Sequence, residues 1–237
     1  VALYERETIT LGDAARLAGA NRFEMKDILR DHGVELRLGL TDEADAESEV
    51  EAARELDYAG ANDHGDDSET NDGGHSSHRP ELPNTTVLSN FAAINRIDHV
   101  ADLAGICAVP EVERELEDGV QTIRTSSLPE ALHDKVAVPP VSETVANRKA
   151  VVRSHLDPGE AEAFALADTH DGRLLTDDGD ARTFAKQQGV TVVGSVGVLL
   201  TALNAGRIDE PTANDYLQTW IDDYGYYVPY RTIDDYR

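Results

Sequence analysis

From Leu156 to Leu200 the apolar positions change period in a regular order. Asp157 and Pro158 suit the cap and first turn of a helix that Ala161–Ala167 continues. Arg173–Thr176 is a short apolar run that stops at Asp177, Asp178, Gly179 and Asp180. Ala181–Gln188 returns to helical spacing and is closed by Gly189. Val190–Val193 is β-branched and reads as a strand, and the apolar residues up to Leu200 form a last helix. Helix, strand, helix, strand, helix predicts an α/β domain with a parallel sheet. Ligands of such sheets bind beyond the carboxyl ends of the strands, where acidic residues crowd in this chain.

The remaining pattern divides the chain into residues 1–57, 58–80 and 81–237. In the first part Leu11, Ala14, Ala15, Leu17 and Ala18 give one apolar helix face. A glycine turn follows at Gly19–Asn21, and Phe23, Met25, Ile28 and Leu29 give a second face that ends at Gly33. Helix, turn, helix is the pattern of a helix-turn-helix, although any αα-hairpin shares it. Residues 34–38 (VELRL) read as a short strand, and Val50, Ala53 and Leu56 as the face of an acidic helix. Residues 59–80 contain no Val, Ile, Leu, Met, Phe or Trp, so they predict a flexible acidic linker in which His64, His75 and His78 are solvated. Beyond it, Leu82–Val87 and Gly105–Val109 read as strands, and Leu88–Ile94, Ile97–Leu103, the stretch from Pro110 to Gly119 and Ala146–His155 as helices. The two prolines of residues 136–141 (VAVPPV) suit an edge strand or loop. Tyr226, Tyr227 and Tyr230 of the aromatic tail read as packing.

Charge changes the picture. The 237 residues carry a formal net charge of −25, with 46 Asp and Glu against 21 Lys and Arg. Lys26, Lys135, Lys149 and Lys186 are the only lysines. An acidic, lysine-poor surface fits a halophilic protein, because concentrated salt screens its self-repulsion. Such a charge argues against nucleic acid as a partner, less so in molar salt. The lone Cys107 excludes an internal disulfide and reads as a buried thiol. With neither a membrane-length apolar run nor a signal-like N-terminus, a cytoplasmic protein with no membrane partner is expected.

Candidate chemistry lies at the ends of elements. Asn84, Glu115, Glu162 and the Asp177/Asp178 pair can meet at one sheet edge, and carboxylates gathered there suit Mg2+ or Mn2+. One or two such ions activate water and stabilise a phosphodiester in flight. Structural roles compete at three positions: Glu160 as the capping-box partner of Asp157, Asp180 as the N-cap of the next helix, and Asp177 as a brace for its own turn.

TTVLSNFAAINRIDHV, ICAVPEVEREL, LDPGEAEAFALA, LLTDDGDARTFA and GVTVVGSVGVLL, in that order, resemble the PIN-domain family of VapC-like toxin nucleases. The resemblance implies a three-layer α/β/α fold with a central parallel sheet and a Mg2+- or Mn2+-dependent endoribonuclease. Glu115 matches the second family acid. Glu162 matches the third, with Glu160 close enough to compete, and Asp178 the fourth, supported by Asp177 and Asp180. Catalytic roles are thereby expected at Asn84, Glu115, Glu162 and Asp178. Asn84 departs from the pattern, since the family has Asp there; the amide keeps the shape and loses the charge, so this form is expected to be weakened or inactive. Either an Asp→Asn change lets a toxic nuclease be produced, or the protein binds RNA or a partner without cutting. Residues 3–39 (LYERETITLGDAARLAGANRFEMKDILRDHGVELRLG) resemble a family of small antitoxins with a helix-turn-helix. That implies a DNA-binding or toxin-neutralising module. The expected partners are thus an RNA substrate, the antitoxin-like segment in cis, DNA as a possibility through that segment, and further copies of the chain in a homo-oligomer. Residues 41–57 would lie over the metal edge. The rival expectation is a DNA-binding transcriptional regulator with a catalytically dead PIN-like scaffold.

Overall fold

The short apolar runs become three parallel strands: β1 (Glu81–Pro83), β2 (Arg173–Leu175) and β3 (Thr191–Val193), in the order β1-β2-β3, with Leu82, Leu174 and Val192 in register. The computed structural model describes residues 1–6, 8–20, 22–59, 79–107, 109–119 and 141–237. Apart from Thr191 the strand residues are buried, as expected of a parallel sheet covered on both faces. The expected strand at Gly105–Val109 shrinks, among the described residues, to one parallel bridge from Ile106 to Glu81.

Helices in the N-terminal region are α1 (Ala2–Glu5), α2 (Leu11–Ala18), α3 (Arg22–Asp31) and α4 (Glu43–Ala53). After β1 come α5 (Thr85–Ala93), α6 (Asp98–Ala101), α7 (Pro110–Gly119), α8 (Glu143–Val152) and α9 (Pro158–Thr169). Then α10 (Gly179–Gln187) joins β2 to β3, and α11 (Ser195–Asn204), α12 (Glu210–Tyr224) and a 3-10 turn (Ile233–Tyr236) complete the chain. α9 lies on β1 and β2 with α7 and α8 against it; α11 lies on the other side with α4, α5 and α12. The result is a PIN-like α/β/α arrangement preceded by a small helical module.

Local chemistry sets the boundaries. Thr10 caps α2 by accepting the Asp13 amide (3.1 Å), and Gly19, at φ +67, ends it. The first strand is shorter than expected from Leu82–Val87 because Pro83 has no N–H to offer a ladder and Asn84 Oδ1 takes the Thr86 amide (2.6 Å), turning the chain into α5. Residues 34–38 do not form a strand of their own; Leu38 and Gly39 make single bridges to Asp178 and Tyr227. The helix expected at Ile97–Leu103 is the short α6. The linker expectation at 60–78 and that for residues 136–140 lie outside the described residues. Of the tail tyrosines expected to pack, Tyr226 is buried and Tyr230 half-buried against the large core, whereas Tyr227 is exposed because it meets Gly39 and Leu40 through its backbone.

Two apolar cores result. The small one holds Tyr4, Leu11, Ala14, Ala15, Met25, Leu29, Leu36 and Leu38. The large one surrounds the sheet and begins, in sequence, at Leu40; it takes in Ala46, Ala52, Ala53 and Leu56 from α4 and the residues after it. Among the described residues no helix is long and apolar enough to cross a membrane.

Candidate active site

Three carboxylates close on one guanidinium at the carboxyl edge of the sheet. Asp157 caps α9, Glu160 sits in its first turn, and Asp178 caps α10. Arg22, the first residue of α3, reaches all three. Its Nη2 lies 2.7 Å from Glu160 Oε1 and 3.2 Å from Asp178 Oδ2, and its Nη1 lies 3.5 Å from Asp157 Oδ2. The three acids are buried. Asp157 Oδ2 and Arg22 Nη1 face each other with no hydrogen bond among the described residues.

Capping chemistry aims these acids. Asp178 Oδ1 accepts the amides of Asp180 (3.1 Å) and Ala181 (3.0 Å), which leaves Oδ2 for Arg22. Glu160 Oε2 accepts the Asp157 amide (3.1 Å), one half of a capping box, and Oε1 goes to Arg22. The expected cap at Asp180 is therefore corrected: Asp178 is the cap. Glu115, on α7, accepts the Thr85 hydroxyl (2.6 Å) and the Gly159 amide (2.9 Å). A Cβ at Gly159 would stand 2.6 Å from Glu115 Oε1, so glycine is what lets α7 and α9 meet there. Asn84 turns its Nδ2 toward Glu160 Oε1 at 3.5 Å.

Charge and burial pull against each other. Burial and the Glu160 charge push the Asp178 carboxyl up to about 7, although Arg22 opposes them. Burial raises Asp157 and Glu160 as well, with Arg22 working against it in both. On the guanidinium itself burial acts downward, but Glu160, Asp157 and Asp178 outweigh it and hold Arg22 well above its ordinary value. Lys26, one turn along α3, is lowered to about 8 by burial and by Arg22. A buried pair of this kind is costly to break, because the partner left behind has no water to solvate it.

The sequence-expected residues divide. Asn84, Glu115, Glu160 and Asp178 stand around this edge. Glu162 does not: two residues after Glu160 and on the opposite side of α9, it accepts hydrogen bonds from the Glu111 amide (2.7 Å) and the Lys149 ammonium (3.1 Å), tying α7 and α8 together. Asp177 does not either. It is fully buried and takes donors from Ser195 (amide, 2.8 Å), Asn90 (2.9 Å) and Tyr226 (2.6 Å), which bind the strand end to α5, α11 and the tail. Asp180 lies at the rim, paired with Arg37 (2.8 Å). Residues 41–57 do not cover the edge; α4 packs on β3 and α11. Sequence reasoning missed Arg22 as the occupant and Asp157 as a site carboxylate. The D-x-x-E spacing was visible, but it signals a cap whether or not a charge waits opposite.

A PIN-domain family model matches residues 82–236, and a model described as an uncharacterised protein family (UPF0175) matches residues 1–55. The first covers more than half of the chain, which therefore belongs to the PIN-domain family. It is a PIN domain of the toxin–antitoxin nuclease kind preceded by an antitoxin-like module. Neither the curated proteins nor the solved structures contain a match.

PIN domains generally depend on a divalent metal. Asp157, Glu160 and Asp178, with Glu115 and Asn84 beside them, are hard oxygen donors of the kind Mg2+ and Mn2+ take. Among the described residues no three acidic, His or Cys side chains are disposed to hold an ion. The acids are spread around a planar guanidinium instead. The donor set thus fits a divalent ion in its chemistry, while in space the Arg22 guanidinium occupies its middle.

Proposed function

We propose that the chain is a metal-dependent endoribonuclease held closed by its own N-terminal module. The observation that supports this is the Arg22 guanidinium seated among Asp157, Glu160 and Asp178. A cation of the protein stands where a cation of the solvent would otherwise stand. Asp157, Glu160 and Asp178 would hold Mg2+ or Mn2+, with Glu115 and Asn84 at its margin. Such an ion supplies an activated water and neutralises charge on the scissile phosphodiester. Thr85 fixes one Glu115 oxygen and the Gly159 amide the other, so this carboxylate is oriented before any substrate arrives. The ordered caps of α9 and α10 do the same for Glu160 and Asp178. A cytoplasmic location accords with an RNA substrate.

The test is cleavage of a fluorogenic single-stranded RNA in Mn2+ by four full-length chains: unaltered, Arg22→Ala, Asn84→Asp and the double variant. Cleavage should rise from the first chain to the last. A double variant that cuts no RNA and binds no Mn2+ would refute the reading. The rival, a DNA-reading regulator, is less well supported in this closed form, because α3 turns Arg22 and Lys26 inward against the acidic edge.

A further inference from the structure

We propose that the boundary between restraint and nuclease lies at Gly39, that α4 is a permanent part of the nuclease, and that the site opens by departure of residues 1–38 alone. The proposal rests on reading the acidic edge as a nuclease site closed by Arg22. It moves the boundary from where the family matches place it, since the antitoxin-like match runs to residue 55 and so includes α4.

The two segments are attached by different physics. Residues 1–38 carry their own apolar core and share none of its buried members with the large one. They meet the nuclease through polar contacts: the Arg22 cluster, Arg37 to Asp180, and Arg30 Nη2 to the Tyr224 carbonyl (3.0 Å). Backbone bonds from Tyr227 to Leu38 (2.9 Å) and from Gly179 to Arg37 (3.0 Å) complete the attachment. Gly39 then turns the chain at φ +105, where a Cβ would strike the Tyr227 carbonyl.

α4 is built in. Its Ala46, Ala52 and Ala53 belong to the large core. Glu49, fully buried, accepts the amides of Gly194 (2.5 Å) and Gly197 (2.8 Å), which are donors at the start of α11 that the helix itself leaves unused. A Cβ at Gly194 would crowd Asp177 Oδ1 (2.6 Å), Arg182 Nη1 (2.8 Å) and Glu49 Oε1 (3.0 Å), and one at Gly197 would crowd Val193 Cγ1 (2.6 Å) and Glu49 Oε1 (2.9 Å). Asp45 and Glu49 together hold the buried Arg182 guanidinium at 2.7 and 2.9 Å. Arg182 Nη1 donates to the Thr176 carbonyl (3.0 Å), two residues before Asp178. Removing α4 would strand a buried guanidinium and two amides, and would loosen the turn that aims Asp178. Departure of residues 1–38 instead takes the Arg22 counter-charge from Asp157, Glu160 and Asp178 and uncovers their edge to solvent, while the buried Arg182 and the α11 amides keep their partners on α4.

Hydrogen exchange read by mass spectrometry on the full chain decides the matter without any activity. Regions of unequal attachment open as separate units, and exchange resolves them. In Arg22→Ala, amides of α2 and α3 should exchange about tenfold faster or more, the effect of losing a charged hydrogen bond. Those of α4 should stay as slow as those of α11. In Glu49→Ala, α4, β3 and α11 should accelerate together. The proposal is overturned if α4 accelerates with α2 and α3 in Arg22→Ala, or if exchange in that variant is unchanged everywhere. A chain that shows this pattern and still cuts no RNA would sink the nuclease reading and leave the boundary standing.

Discussion

A guanidinium and a divalent ion place opposite demands on the same carboxylates. The guanidinium is flat and donates in a plane, whereas the ion draws oxygens toward a point. Asn84 suits the first occupant, because its amide can face Glu160 without repulsion and an aspartate there could not. Asn84→Asp should therefore lower the metal-free Tm and regain the loss in Mn2+; thermal scans with and without metal check this, and equal melting of the two chains without metal would contradict it. The Asp178 carboxyl sets a pH dependence. An unperturbed Asp has a pKa near ~3.9, and in the folded chain burial and Glu160 raise it to about 7. Between those values the folded chain keeps a proton that the unfolded chain has released, so this group's contribution to stability falls as pH rises through the window. Asp178→Asn should flatten that part of the Tm–pH curve relative to the unaltered chain. Identical slopes in the two proteins would remove Asp178 as the cause.

At the scale of elements, the sequence was most legible where periodicity and punctuation agreed. Residues 173–175 and 191–193 are strands because β-branched and leucine runs are bounded by glycine and aspartate, and α9 follows from its cap and proline. Glu160 and Glu162 were hard to separate because both fit the same short motif; two residues of helix turn the side chain through about 200°, which sends Glu162 to Lys149 and leaves Glu160 at the edge. The role of α4 was illegible for a different reason. Its alanines and acids look like a solvated helix until the glycines of α11, about 150 residues away, are seen to need an acceptor. Arg22 belongs to the same class, since no local pattern states which distant charge a helix end will meet. Packing between α2 and the nuclease gives a sharp prediction. A methyl group at Gly12 would fall on the Asp157 carboxylate. Gly12→Ala should lift α2 at a cost of about 1–3 kcal/mol, the usual range for overpacking. Trypsin should then cut faster at Arg16, while fluorescence of Trp220, buried in the large core between Phe91 and Tyr226, stays native. Unchanged digestion would show that the close contact does not hold the module.

The whole molecule is a pair of apolar cores joined across an acidic edge. One core carries the cation that neutralises the edge, and the other carries the edge itself. On the proposed reading, inhibitor and metal compete for one set of oxygens, and the affinity for metal is reduced by the fraction of time the edge is closed. An acidic chain of net charge −25 gains from such an arrangement, because three buried carboxylates receive a counter-charge without needing an ion. The central claim is this competition, and calorimetric titration of Mn2+ into the full chain and into Arg22→Ala tests it most directly. The account predicts that Arg22→Ala binds one or two ions at the acidic edge at least about tenfold more tightly, as expected when a buried counter-ion is withdrawn. Equal affinity in the two proteins, or no binding in either, would contradict it.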